Sequence, residues 1–174
     1  MVQEKPEVWQ RGPLQSIPPL LQPVAHALLQ AAEEVQELAN GFPDELLWER
    51  PANVASPAFH LQHLTGVLDR LFTYGRGESL SETHLQALAA EGDQAQTNLN
   101  ATELVELFNR QVELSIAELS SVKESTLTDI RTIGRKKIPT TLIGLYVHAA
   151  EHTMRHVGQL HVTIKILKSM PAKG

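Results

Sequence analysis

Apolar positions recur at helical spacing over four long stretches of the chain. From Leu20 to Asn40 they are Leu21, Val24, Ala25, Leu28, Leu29, Ala32, Val35 and Leu38. Asn40-Gly41 is a stop signal, with Pro43 just beyond. Ser56-Pro57 offers a serine cap and a first-turn proline to a second helix, reaching about Tyr74, that buries Leu64, Val67, Leu68 and Leu71. A third long helix is expected from Thr102 to about Val122. It buries Leu104, Leu107, Phe108, Val112, Leu114 or Ser115, and Leu119. The last is expected to open at Pro139 and run to about Lys168, with its stripe through Leu142, Leu145, Ala149, Leu160, Ile164 and Leu167.

Polar and turn-rich segments separate these stretches. Residues 1–19 carry Pro6, Gly12, Pro13, Pro18 and Pro19 and read as an extended arm. Residues 42–55 read as a loop. "LSETHLQALAAEG" reads as a short extra helix between Ser81 and Gly92, and "KESTLTDIRTIGRKKIP" as a polar, basic connection. No strand pattern stands out. The expectation is an all-α protein: a four-helix bundle with an extended N-terminal arm and a short extra helix, forming a single domain over residues 1–174.

Composition narrows the function classes. With 42% hydrophobic and 20% charged residues and a net charge of −5, the chain reads as soluble and cytoplasmic, with no global basic field for nucleic acid or anionic lipid. No apolar run reaches the roughly 20 residues that span a bilayer. The chain has no cysteine, so it offers no thiolate ligand, cysteine nucleophile or disulfide.

Histidines change the picture. "YVHAAEHTMRHVGQLH" holds His148, His152, His156 and His161, four of the eight in the chain. Spacing by four places His148, His152 and His156 on one helix face. His161 falls roughly opposite His152. His156 lies within the apolar stripe and His152 on its flank, so this pair can chelate one cation. The competing reading is a hydrogen-bonded core histidine with solvated neighbours. A second pair, His60 and His63, opens the second long helix, with His60 central in that stripe and His63 on its flank. Either could meet the last helix across a bundle, and three neutral imidazoles would suit zinc or nickel, with iron or manganese also possible.

Two motifs carry a resemblance. "HLTGVLDRL" from His63 sets a histidine before an apolar stretch and Asp-Arg, and "HTMRHVGQ" from His152 sets His-x-x-x-His before Gly-Gln. In this order, with four long helices, the chain resembles the DinB/YfiT-like superfamily of metal-dependent enzymes. The resemblance implies a four-helix bundle, often a homodimer, with a three-histidine divalent metal site. By motif register the ligands are His63, His152 and His156, and His60 is a candidate for a supporting place beside them. It further implies a small-molecule substrate and a thiol-dependent S-transferase using a low-molecular-weight thiol such as bacillithiol, or a mycothiol-dependent isomerase. A metal-dependent hydrolase is the alternative. A non-enzymatic bundle for dimerisation or partner binding is the alternative from another class.

Other polar residues are weighed against plainer roles. His148 is a pocket candidate, though a solvated boundary position suits it as well. Arg131 and Arg135 of "RTIGRKK" could dock an anionic group near the following helix N-terminus. Glu91 could reach a pocket if the short helix folds over the bundle end. Asp69-Arg70 and Glu151/Arg155 read as ion pairs, and His26, His84 and His161 as structural or surface residues.

Overall fold

A computed structural model describes residues 5–170. The described residues form five α-helices: α1 (Gln22–Ala39), α2 (Pro57–Gly75), α3 (Glu82–Ala90), α4 (Ala101–Ser121) and α5 (Leu142–Ser169). α2 packs between α4 and α5, and α1 closes the ring by packing on both. The four long helices are thus the expected bundle, and α3 is the expected short extra helix.

Local chemistry sets the boundaries. The Ser56 side chain accepts a hydrogen bond from the Phe59 amide at the start of α2, with Pro57 in the first turn. Asn100 and Glu103 form a reciprocal capping box that starts α4 one residue before the expected Thr102. The N-terminal arm is held along α1. Arg11 reaches both carboxylate oxygens of Glu33, at 2.6 and 2.8 Å, and the Val8 amide donates to Gln30 Oε1. Val8 is buried in a 3-10 turn, Val8–Arg11, which tightens the arm. Residues 1–4 of the expected arm and residues 171–174 lie outside the described residues.

The connection before α5 departs from the sequence reading. It folds as an antiparallel hairpin of β1 (Ile130–Ile133) and β2 (Ile138–Thr141), with Thr132 opposite Pro139. Gly134 and Lys137 take positive φ at the turn. Pro139 therefore belongs to β2 and does not open the last helix. α5 starts three residues later, where Thr141 accepts a hydrogen bond from the Gly144 amide. Each strand has only four residues, and neither has a buried face, so no apolar alternation announces them.

The core lies between the four long helices. Leu28 from α1, Leu64 and Leu68 from α2, Phe108 from α4, and Ala149, Val157 and Leu160 from α5 are fully buried. Phe72 and Tyr146 meet at the hairpin end of the bundle, with ring centroids 5.0 Å apart. No helix among the described residues is long and apolar enough to cross a membrane.

Phe108 tests the core. It is 0% exposed in α4. Phe108→Ala is expected to lower unfolding free energy by about 3–5 kcal/mol through lost burial and a residual cavity. Urea denaturation followed by circular dichroism measures it, and a change under about 1 kcal/mol contradicts this core assignment.

Candidate metal centre

α2 and α5 run antiparallel, and this direction makes their histidines face one another. His60 Nδ1 lies 3.1 Å from His156 Nδ1, and His63 Nε2 lies 2.9 Å from His152 Nε2. Position 60 thus meets 156 while 63 meets 152, one turn along each helix. His63, His152 and His156 each offer a ring nitrogen, and these three atoms lie within 4.8 Å of one another. All three residues are partly buried. His60 lies deeper, 3% exposed beneath the cluster.

The register choice between His60 and His63 thereby takes physical form. The more central His60 is the core residue, hydrogen-bonded to His156. The flanking His63 reaches the open side, where His152 and His156 converge. Phe59, one turn earlier on α2, stacks on His63 with a centroid distance of 5.3 Å and an interplanar angle of 10°.

A third element reaches the cluster. Glu91, just past α3, sets Oε2 at 2.6 Å from His63 Nδ1 and Oε1 at 2.6 Å from Arg70 Nη1. The pair is dry, with side-chain exposures of 7% for Glu91 and 9% for Arg70. Gly92 fixes the approach: its amide donates to Gln62 Oε1 at 2.7 Å, and its φ of +82° suits glycine. The short helix therefore folds onto the bundle and delivers Glu91. The sequence offered little sign of this, because a lone carboxylate before a helix-stop glycine has no periodic signature. Arg70 pairs with Glu91, while its neighbour Asp69 pairs with His84 at 3.1 Å.

Remaining candidates lie elsewhere. His148 is exposed at the edge of the cluster, with its ring centroid 5.4 Å from that of His152 and its Nδ1 3.6 Å from a Glu151 carboxylate oxygen. His161 lines a separate cavity with Glu34, Glu37, Lys165 and Lys168. His26 contacts the Gly12 carbonyl, and His84 hydrogen-bonds Ser81 at the start of α3. Arg155 pairs with Glu151 as expected. Neither hairpin arginine is brought to the histidines. Arg131 donates to the Gly75 carbonyl at 2.7 Å, and Arg135 is exposed in the hairpin turn. Gly75 lies about 18 Å along α2 from His63 at 1.5 Å per residue. The suggested anion dock near the last helix is therefore at the wrong end of the bundle to serve this site.

Electrostatics favour neutral imidazoles. Burial, reinforced by repulsion from His63, pushes His60 down to about 4. Burial first, then the neighbouring imidazoles of His63, His152 and His60, pushes His156 to about 4 as well. Burial also lowers His152. Burial would raise Glu91, but hydrogen bonds from His63 and Arg70 outweigh it and hold the carboxyl below its ordinary range. Neutral imidazoles keep the lone pair that a metal takes.

The donor set fits a divalent cation. Tetrahedral bonds of about 2.0–2.1 Å would place ligand nitrogens about 3.3 Å apart; here His63 Nε2 and His152 Nε2 are 2.9 Å apart and the three ring nitrogens lie within 4.8 Å of one another. His152 Nδ1 is buried with no hydrogen-bond partner among the described residues. Such a cost is the kind a functional site carries.

A family model described as the DinB superfamily matches residues 27–160. The chain belongs to the DinB superfamily. That match begins within α1, ends within α5 and takes in both histidine pairs. Among solved structures, the DinB-superfamily chain is similar to a conserved protein from Enterococcus faecalis, at 18% identity and a TM-score of 0.66. The alignment covers 86% of this chain and 98% of that one, a likeness of fold. A search of curated proteins finds no match.

The depressed imidazoles give this DinB-superfamily chain a pH signature. His60 and His156 move from 6.5 to about 4 on folding, so between those values the unfolded chain binds more protons. Stability of the metal-free protein should therefore fall as pH drops from 6.5 toward 4, by a few kcal/mol in order of magnitude. Glu33, held at about 2 chiefly by the Arg11 hydrogen bond, loses its contribution in a lower window, below 4.5. Thermal melts across this range should show a shallower slope for His60→Asn. An identical slope in that variant would remove His60 from the account.

Proposed function

We propose that this protein is a metal-dependent enzyme in which His63, His152 and His156 hold one divalent cation. The observation that carries this reading is the convergence of three ring nitrogens from two helices on one partly open point. Zinc or nickel suits three imidazoles best; iron(II) and manganese are the alternatives. Bound there, the cation would supply Lewis-acid activation of an exogenous thiol, favouring its thiolate form.

The chain's own residues perform the remaining work. Two ligands from α5 and one from α2 leave coordination room for a substrate atom, as in catalytic metal sites. Burial keeps His152 and His156 neutral, ready to coordinate near neutral pH. Phe59 covers one face of the His63 ring and limits its rotation. The chain contains no cysteine, so the sulfur of a thiol transfer must come from a separate molecule. A low-molecular-weight thiol is the proposed co-substrate, with S-transfer to a small electrophile as the reaction.

Elemental analysis of untagged protein tests the site. About one equivalent of metal is expected in the wild type and in His161→Ala, which alters a residue in a separate cavity. His63→Ala, His152→Ala and His156→Ala should each lose stoichiometric binding while remaining helical by circular dichroism. His60→Ala should keep the stoichiometry with weaker affinity. Unchanged metal content in the three ligand variants refutes the assignment. With the metal loaded, consumption of the thiol together with an electrophile supports transfer, whereas ester or amide cleavage without thiol supports a hydrolase.

A further inference from the structure

The contacts behind His63 form a chain whose order is fixed by chemistry. Arg70 offers only donors, and its Nη1 donates to Glu91 Oε1 at 2.6 Å. A carboxylate so engaged is an acceptor, so its other oxygen, 2.6 Å from His63 Nδ1, accepts a hydrogen bond from an N–H at that nitrogen. In its neutral form a ring so placed carries its hydrogen on Nδ1 and leaves a lone pair on Nε2. That Nε2 is the atom facing His152 across the seam.

Gly66 makes room for this chain. A Cβ at position 66 would lie 2.5 Å from Arg70 Nη1 and 2.6 Å from Glu91 Oε1. The missing side chain is thus a space that the ion pair fills. The Gly92 amide on Gln62 and the close packing of Gly92 on Phe59 hold the segment after α3 against the same face of α2.

We infer that Arg70 and Glu91 are positioning residues that set the tautomer of His63 and aim its Nε2 lone pair at the metal position. The inference rests on the three-histidine reading above and adds a third element, the end of α3, to a site otherwise built from two helices. Metal-ligating histidines commonly donate their other ring N–H to a carboxylate, and loss of such a partner weakens metal binding roughly 10- to 100-fold.

Glu91→Gln tests this with almost no change in shape. Arg70 has no acceptor, so it claims the new amide oxygen. The amide nitrogen then faces His63 Nδ1, which must accept, and the ring proton moves to Nε2. The isosteric variant should therefore invert the tautomer. Proton–nitrogen correlation spectra of the imidazole rings in metal-free full-length protein report it directly, with His63 assigned by the signals lost in His63→Gln. Competition between the protein and a chromophoric chelator for zinc reports affinity. The expected result is Nδ1–H in wild type, Nε2–H in Glu91→Gln, and a roughly 10- to 100-fold weaker zinc affinity in the variant. Gly66→Ala, which alters no histidine or ion-pair residue, should also weaken zinc by displacing the pair. If His63 keeps its proton on Nδ1 in Glu91→Gln, or if both variants bind zinc within about threefold of wild type, the positioning role is overturned. If the wild type takes up no zinc, nickel, manganese or iron(II), the metal reading itself fails, whatever the tautomer does.

Discussion

The antiparallel seam between α2 and α5 is the constraint on which the rest depends. It sets His60 against His156 and His63 against His152. Both pairings require a single register. A slip of one helical turn, about 5.4 Å, would place each histidine beside the wrong neighbour. The register is held by apolar packing rather than by the histidines. Leu61, Leu64 and Leu68 on α2 and Leu145, Ala149, Val157 and Leu160 on α5 are buried along the bundle. Burying one such leucine contributes about 1.5–3 kcal/mol, whereas a net hydrogen bond contributes about 1 kcal/mol. The apolar residues therefore decide the alignment, and the imidazoles occupy the place that alignment gives them.

Polar groups set into this seam carry a cost that the structure meets by pairing. A buried ion pair is often no more stabilising than apolar residues of the same size, because each charge loses its hydration. Arg70 and Glu91 do not, therefore, justify their burial as a source of stability. The arrangement makes better sense as a fixed support for His63, with Gly66 leaving the space and Gly92 completing the turn. His152 shows the opposite situation, since its Nδ1 is buried without a partner among the described residues. An apolar side chain in its place would avoid that penalty, so stability alone does not account for this imidazole.

How much of this was legible in the sequence follows from the range of each signal. The four long helices were legible because apolar spacing repeats over five or more turns, and Ser56-Pro57 marked the start of α2 to the residue. The depth of His60 was legible from its central place in the stripe of α2. The hairpin was not, because β1 and β2 are four residues each and bury neither face. The basic run misled the reading of Arg131 and Arg135 in the same way. Charge near a helix N-terminus suggests an anion site, but only the fold shows that this terminus lies at the far end of α2 from His63. Glu91 belongs to a different class of difficulty. It is 28 residues from the His63 that it meets, and it gets there through Gly92, Gln62 and the gap at Gly66, three residues that say little singly.

Charge balance gives the Arg70–Glu91 pair a further consequence. A carboxylate behind a histidine raises the basicity of that ligand and, left uncompensated, adds a negative charge near the metal position. Here Arg70 cancels the charge at 2.6 Å, so Glu91 can direct the His63 proton without much changing the net field. The three proposed imidazole ligands, unlike carboxylates, bring no negative charge of their own. A cation held by them would keep nearly its full positive charge for whatever fills its open positions, the condition under which a bound thiol or water loses its proton most readily. Replacing one of these histidines with a carboxylate would move the balance the other way, toward tighter cation binding and weaker activation. With imidazole at all three positions, and the Glu91 and Glu151 carboxylates each paired with an arginine, little negative charge would offset a cation held there.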